Sequence, residues 1–240
     1  MTIQEMHYQF DLLLDKVSSS QKPNFNVAEK DWILNHAQEL FVKQRYSGNN
    51  YKRTALESTQ KRIDDLRTIH VQNVTHTSVV DLTGGIYEFI INDANVPNYL
   101  FMTRGTASVT DLDGCNGTAI LKVTQTDDIS EVLKDPFRSP DVSEIPCNYG
   151  TSPTGSGSSL YLYSGTNTIN SITISYLRSP VTMSYPGYTY IDGSTTTEVG
   201  CELPPHTHAE IIDIAVKVAS GTIESPEFMQ IKSQKLMETE

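Results

Sequence analysis

Metal-binding side chains come closest together at His206-Thr207-His208-Ala209-Glu210, two imidazoles and a carboxylate within five positions. Such donors suit zinc and related divalent metals, but a site needs a further ligand held at defined geometry. Directly after Pro204-Pro205 these residues fall in the first turn of a helix, a poor place for an enclosed site, and they are read as structural. Asp111-Leu112-Asp113-Gly114 has the opening of a calcium loop without its third acid before the glycine or its distal glutamate. An Asp-Gly turn between two strands accounts for it. Serines are plentiful, yet none lies in the G-x-S-x-G turn that exposes a nucleophile. Asp64-Asp65 and Asp127-Asp128 are adjacent rather than facing, so neither makes a general acid/base pair. The Gly/Ser tract 151–159 lacks the lysine and following helix of a phosphate loop and reads as a hairpin loop. Cys115, Cys147 and Cys201 are widely spaced and form no CxxC, which speaks against a zinc site or a disulfide framework. The expectation is therefore no catalytic residue, no cofactor, no metal and no enzyme activity.

The elements that would position these residues fall into three parts. Thr2 and Glu5 have the spacing of a capping box, and Ile3, Met6, Phe10, Leu13 and Val17 behind them recur at helical intervals. Pro23 separates this helix from a second one, opened by Asn26 and Glu29 and carrying Ile33, Ala37, Leu40 and Phe41. Gly48-Asn49-Asn50 ends it, since both residue types tolerate left-handed φ. A third, heavily charged helix is expected at roughly 54–68. From His70 onward short β-branched and aromatic runs bounded by Gly, Asn, Asp or Pro predict strands at 85–91, 99–102, 106–109, 118–124, 159–163 and 171–177. In the last of these, apolar residues alternate with hydroxyls, so one face packs and the other is wet. A short helix near 127–135, capped by Asp127 or Asp128, interrupts them. Helical periodicity returns after Cys201 in Ile211, Ile212, Ala215 and Val218. Ser225-Pro226-Glu227 then starts a final helix with Phe228, Ile231 and Leu236 on one side.

The expected domains are an N-terminal helical part (1–70), a β-rich domain (71–200) and a C-terminal helical part (201–240). The expected fold class is α+β, with the N- and C-terminal helices forming a small bundle and a β-rich, sandwich- or barrel-like domain inserted between them.

Composition narrows the function. Eighteen Lys and Arg against 29 Asp and Glu leave a formal charge of −11 over 240 residues. Non-specific nucleic-acid affinity comes from cations that displace condensed counterions, so a general polyanion binder is disfavoured. Charged residues make up only 20% of the chain, and serine, threonine and asparagine fill the gap, a composition suited to strands and loops. No apolar run is long enough to span a membrane, and no basic, apolar leader opens the chain; with its cysteines unpaired in sequence, a reducing cytosol is the expected place of synthesis.

The layout resembles a known family. Asp31-Trp32-Ile33-Leu34-Asn35-His36-Ala37-Gln38-Glu39 looks like its second helix, and Asn92–Leu100 together with Thr126–Phe137 carry similar phrasing within the β region. The closing Glu202-Leu203-Pro204-Pro205, helix, glycine, Ser225-Pro226-Glu227 and last helix complete the likeness. These stretches resemble the ring-forming head–tail proteins of tailed bacteriophages, especially adaptor and tail-ring proteins of short-tailed and crAss-like phages. That resemblance implies a virion protein, a homo-oligomeric ring (commonly twelve-fold) that links portal to tail and leaves a central passage for DNA. Its partners would be portal and other tail or ring proteins. Ser225, Phe228, Ile231 and Leu236 are the expected subunit-contact residues. A second reading is a tail-associated receptor- or glycan-binding β module with helical attachment arms, using Tyr161, Tyr163, Tyr185, Tyr188 and Tyr190.

Overall fold

The computed structural model describes residues 1–17, 25–47, 56–92, 94–152, 157–189 and 193–222, and these divide into two compact units. One is built from both ends of the chain, Met1–Ile69 and Pro180 onward; the other is the contiguous His70–Ser179.

The terminal unit contains α1 (Ile3–Val17), α2 (Val27–Ser47), α3 (Leu56–Asp65) and, after a single 3-10 turn at Pro205–Thr207, α5 (His208–Thr222). The first capping box forms in full, and the second forms only its Glu29 arm, since Asn26 Oδ1 accepts the Val27 amide at 3.0 Å. The Thr2 amide donates to Glu5 Oε2 at 2.9 Å while the Glu5 amide donates to Thr2 Oγ1 at 3.2 Å. The Asn26 amide donates to Glu29 Oε2 at 2.7 Å. Each box satisfies helix N–H groups that have no intrahelical partner. Helix α5 packs on both α1 and α2. The core they share contains Ile3, Met6 and Phe10 of α1, Leu34, Ala37 and Phe41 of α2, and Ile211, Ile212 and Ala215 of α5, all within 1% of full burial.

The contiguous unit is one eight-stranded sheet in the order β1-β8-β4-β5-β6-β7-β3-β2. Its strands are β1 (His70–His76), β2 (Val79–Asp81), β3 (Ile86–Ile91), β4 (Tyr99–Thr110), β5 (Asn116–Val123), β6 (Glu144–Thr151), β7 (Ser158–Tyr163) and β8 (Thr168–Arg178). Every pairing is antiparallel except β5 with β6, whose crossover carries the short helix α4 (Ile129–Val132). Only Thr77 and Ser78 separate β1, at one edge, from β2, at the other. A two-residue link cannot cross a flat sheet of eight strands spaced about 4.8 Å apart, so the sheet curls until its edges converge at that corner. The ring of His76 on β1 accordingly lies 5.1 Å from that of Phe89 on β3. Phe89, Val109, Ala119, Ile145, Leu162 and Ile172 fill the concave side and are completely buried. The alternation expected in β8 holds only in part: Ile172, Ile174 and Tyr176 face this core and Thr173 Oγ1 meets Thr75 Oγ1 at 2.9 Å on the wet side, but Ser175 and Leu177 are buried too.

The expected fold class is corrected by this arrangement. The β unit is neither a two-sheet sandwich nor a closed barrel, but a half-barrel made of one sheet whose two edge strands do not pair. Nor do N- and C-terminal helices alone make a bundle. The described residues of the stretch 180–204 are non-helical, and they place fully buried Met183 and nearly buried Leu203 among the helices. Met183 and its neighbours run alongside α2 as extended chain, hydrogen-bonded by side chains of that helix. The helix expected from Ser225 lies outside the described residues.

Candidate functional site

On α2 a polar row, Asp31, Asn35 and Gln38, occupies one side of the helix at i, i+4 and i+7. It faces extended chain. The Asp31 Oδ2 atom accepts the Tyr185 amide at 2.8 Å. Asn35 makes a two-way pair with Met183, donating Nδ2–H to its carbonyl at 2.8 Å and accepting its amide at 2.7 Å. Gln38 Nε2 donates to the Val181 carbonyl at 3.5 Å. Two residues of extended chain advance about 6.7 Å and four residues of helix about 6 Å, so a helical row can match alternate residues of a strand. The row thus fixes residues 181–185 against α2.

Asp31 is the centre of this attachment. It is 3% exposed and accepts two further hydrogen bonds, from His7 Nε2 at 2.7 Å and from the Tyr188 hydroxyl at 2.8 Å. A buried carboxylate is tolerated when hydrogen-bonded this fully. A second polar cluster joins the end of α2 to α3 and the start of α5. Arg45 Nε contacts fully buried Asp65 at 2.9 Å, its Nη2 contacts Glu210, and Lys61 Nζ reaches Glu210 at 2.9 Å.

These contacts decide the reading of the His206–Glu210 segment. His206 Nε2 turns to Asp65 Oδ1 at 2.8 Å, and buried His208 Nε2 donates to the Leu203 carbonyl at 2.9 Å. Glu210 serves Arg45 and Lys61. Three candidate ligands therefore point at three different partners. Burial lowers the His208 pKa, its largest influence, although the Leu203 carbonyl opposes the shift. Among the described residues no group of three His, Cys, Asp or Glu is placed to hold a metal ion. Asp111–Gly114 forms the tight β4–β5 turn, with the Gly114 amide on the Asp111 carbonyl at 2.9 Å and Gly114 at φ +81°. Cys147 is buried, and desolvation pushes its thiol up to about 12; Cys115 is exposed.

Among the exposed apolar side chains of the described residues, three features have a defined setting. On α1, Tyr8 and Leu12 lie one turn apart, directly opposite the buried Ile3–Phe10 face, and are 70% and 44% exposed. Along the first turns of α2 an apolar groove of about 360 Å³ is lined by Phe25, Ala28, Glu29, Trp32 and Ile33. Trp32 stands 62% exposed at this groove, its ring stacked on His36 at 5.6 Å. On the β5–β6 crossover Phe137 is 96% exposed. The Asp135 side chain accepts its amide at 2.9 Å, and the Asp135 carbonyl accepts the amides of Arg138 and Ser139. An aromatic side chain held in a hydrogen-bonded loop and left in solvent has the form of an interface anchor.

The tyrosines of the glycan reading are used within the chain. The Tyr161 hydroxyl donates to the Thr151 carbonyl at 2.9 Å, Tyr188 to Asp31, and the Tyr185 ring packs against His7 at 5.0 Å. Tyr163 reaches Asn148 Oδ1 at 3.5 Å, and Tyr190 lies outside the described residues. Ser225, Phe228, Ile231 and Leu236 lie outside them as well. Sequence reasoning missed the Trp32 groove and the Tyr8–Leu12 pair. The signal available was an apolar residue on the polar side of each helical period.

A family model described as phage tail ring protein 3/4 matches residues 1–225. The chain is also 26% identical over 231 residues to "Ring protein 4/5" of Bacteroides phage crAss001, across 92% of this chain and 93% of that relative.

Proposed function

The chain belongs to the phage tail ring protein 3/4 family, and from that premise we propose that it is an adaptor or tail-hub subunit, ringed between portal and tail around a passage for DNA. The observation that carries this reading is the match across residues 1–225, which takes in the β unit and α1 through α5. The likeness thus concerns the whole arrangement and not a shared module. The name of the crAss001 relative supports assembly of copies into a ring.

In this reading the protein is structural and catalyses nothing. Helical parts 1–70 and 201–240 form the ring, commonly of twelve copies, and meet the portal or a neighbouring ring. The β domain 71–200 presents loops to other tail proteins, and Phe137, exposed on a hydrogen-bonded loop, is the anchor offered there. The segment with Ser225, Phe228, Ile231 and Leu236 reaches a neighbouring subunit. A formal charge of −11 suits a passage through which a duplex slides, because a lumen without strong positive charge does not hold phosphates. The glycan-binding alternative is less favoured, since the hydroxyls of Tyr161 and Tyr188 are already engaged internally.

Native mass spectrometry and negative-stain imaging of the purified chain, alone and mixed with portal, test the proposal. Closed rings that add to portal are the expected result. A strict monomer that ignores portal and retains saccharides overturns it in favour of the binding-module reading.

A further inference from the structure

Rings close through head-to-tail contacts, in which each subunit presents two different surfaces that fit one another. Resting on the ring reading above, we propose that the helical unit carries both: the Tyr8–Leu12 ridge of one copy seats in the Trp32 groove of the next.

The ridge and the groove agree in shape and chemistry. Tyr8 and Leu12, spaced i, i+4, project side by side from α1, as the anchors of a helix laid into a groove do. The groove is apolar except for Glu29 at its edge. Glu29 does not wander, because its Oε2 accepts the Asn26 amide at 2.7 Å within the capping box. An apolar slot with one fixed acceptor suits an aromatic ring tipped by a donor. Tyrosine is the side chain with that form, and its hydroxyl donates to the Glu29 carboxylate while the ring lies against Trp32. Leucine one turn on fills the apolar remainder beside Ala28 and Ile33.

The exposed side chains of both surfaces lie away from the buried core of the subunit. Tyr8 and Leu12 point away from the core that α1 shares with α5, and Trp32 lies on the opposite side of α2 from buried Leu34 and Phe41. Both elements are nevertheless held firmly. The Lys30–Asp11 ion pair (2.7 Å) and the His7–Asp31 bond (2.7 Å) tie α1 to α2, so the spacing of ridge and groove within one copy is fixed. A fixed spacing sets the rotation from one subunit to the next, and with it the closure of the ring.

The test uses two variants of the full chain. A ridge variant, Tyr8→Ser with Leu12→Ser, removes the insert; a groove variant, Ala28→Glu, puts a second carboxylate into the slot. All three positions are exposed, so the fold should persist, and circular dichroism checks it. Each variant alone should fail to form rings in native mass spectrometry, with subunit affinity weakened roughly thirtyfold or more, as for loss of an interface anchor. An equimolar mixture should stop at heterodimers, because only one intact ridge then meets one intact groove. Two outcomes overturn the pairing while leaving the ring reading in place. Either the variants form wild-type rings, or Phe137→Asp abolishes rings and the ridge variant does not. A wild-type chain that forms no ring overturns the ring reading and the pairing together.

Discussion

Replacing Asp31 tests how the helical unit is held. The carboxylate is 3% exposed and accepts from His7 Nε2, the Tyr185 amide and the Tyr188 hydroxyl. In Asp31→Ala these three donors lose a nearly buried acceptor. Orphaning each such polar group costs about 1–3 kcal/mol. Full additivity is not expected for neighbours in one network, so the loss should be about 4 kcal/mol. Asp31→Asn should cost only about 1 kcal/mol. Its Oδ1 still accepts both bonds from the tyrosine residues, and its Nδ2–H donates to His7 once the imidazole carries its proton on Nδ1. Urea unfolding followed by circular dichroism measures both variants. A cycle with His7→Ala isolates the His7–Asp31 coupling. An Asp31→Ala protein within about 1 kcal/mol of wild type would falsify the claim that this cluster fixes residues 181–185 to α2.

Four other results are expected. His208 is buried and its pKa lies below the ordinary 6.5, so the unfolded chain takes up the proton first as pH falls. Stability should decline as pH drops through about 6.5 towards the folded pKa, and His208→Gln should flatten that part of the profile in denaturation curves. Iodoacetamide should label exposed Cys115 in the native protein, whereas Cys201, pushed up to about 11, and Cys147, up to about 12, should react only after unfolding; peptide mass spectrometry reads the order. Gly85 has φ +76°, and a Cβ there would run into the Gly165 carbonyl, whereas Gly114 at φ +81° faces open space. Gly114→Ala should therefore cost about 1 kcal/mol and Gly85→Ala over about 2 kcal/mol in thermal unfolding. Deleting Ser225–Glu240 should leave the melting of the remaining chain intact and abolish ring incorporation; unaltered incorporation removes the proposed contact role of Ser225, Phe228, Ile231 and Leu236.

What was legible in the sequence was local. Both capping boxes need only residues three apart; the Thr2–Glu5 box forms in full and the Asn26–Glu29 box forms one of its two bonds. The alternation of β8 is visible because one face is oil and the other hydroxyl. The short helix near 127–135 is present as Ile129–Val132, yet Asp128 at its N-cap makes no side-chain capping bond. Strand β6 gave no signal: it contains Pro146, and four successive residues, Ile145–Asn148, are buried, so nothing alternates. Its pairing with β7 begins only at Cys147, which leaves Pro146 without an N–H to satisfy on that side. Runs 99–102 and 106–109 read as two strands because Thr103-Arg104-Gly105 resembles a break. It is a stretch of one strand whose register against β8 shifts between Met102 and Arg104. The sandwich- or barrel-like expectation failed because closure depends on which strands pair, and β1 pairs with β8 across about a hundred residues. The candidate surfaces were hidden for the converse reason. An exposed Trp32 or Tyr8 reads as ordinary helix composition until the core on the other side is known.

The division of the helical unit between both ends of the chain orders events during synthesis. About 160 residues separate Ser47, the end of α2, from His208, the start of α5. At roughly 5–20 residues per second, α1 and α2 wait on the order of 8–30 s for the helix that buries their apolar faces. The contiguous β unit can close during that interval; the helical unit cannot. A chain halted before α5 has the residues of the whole half-barrel, but it lacks the packing that steadies α1 against α2. On the proposal that the helical unit makes the ring contacts, incomplete translation products would be kept out of assembly by the order in which the chain is made, without a separate inspection step.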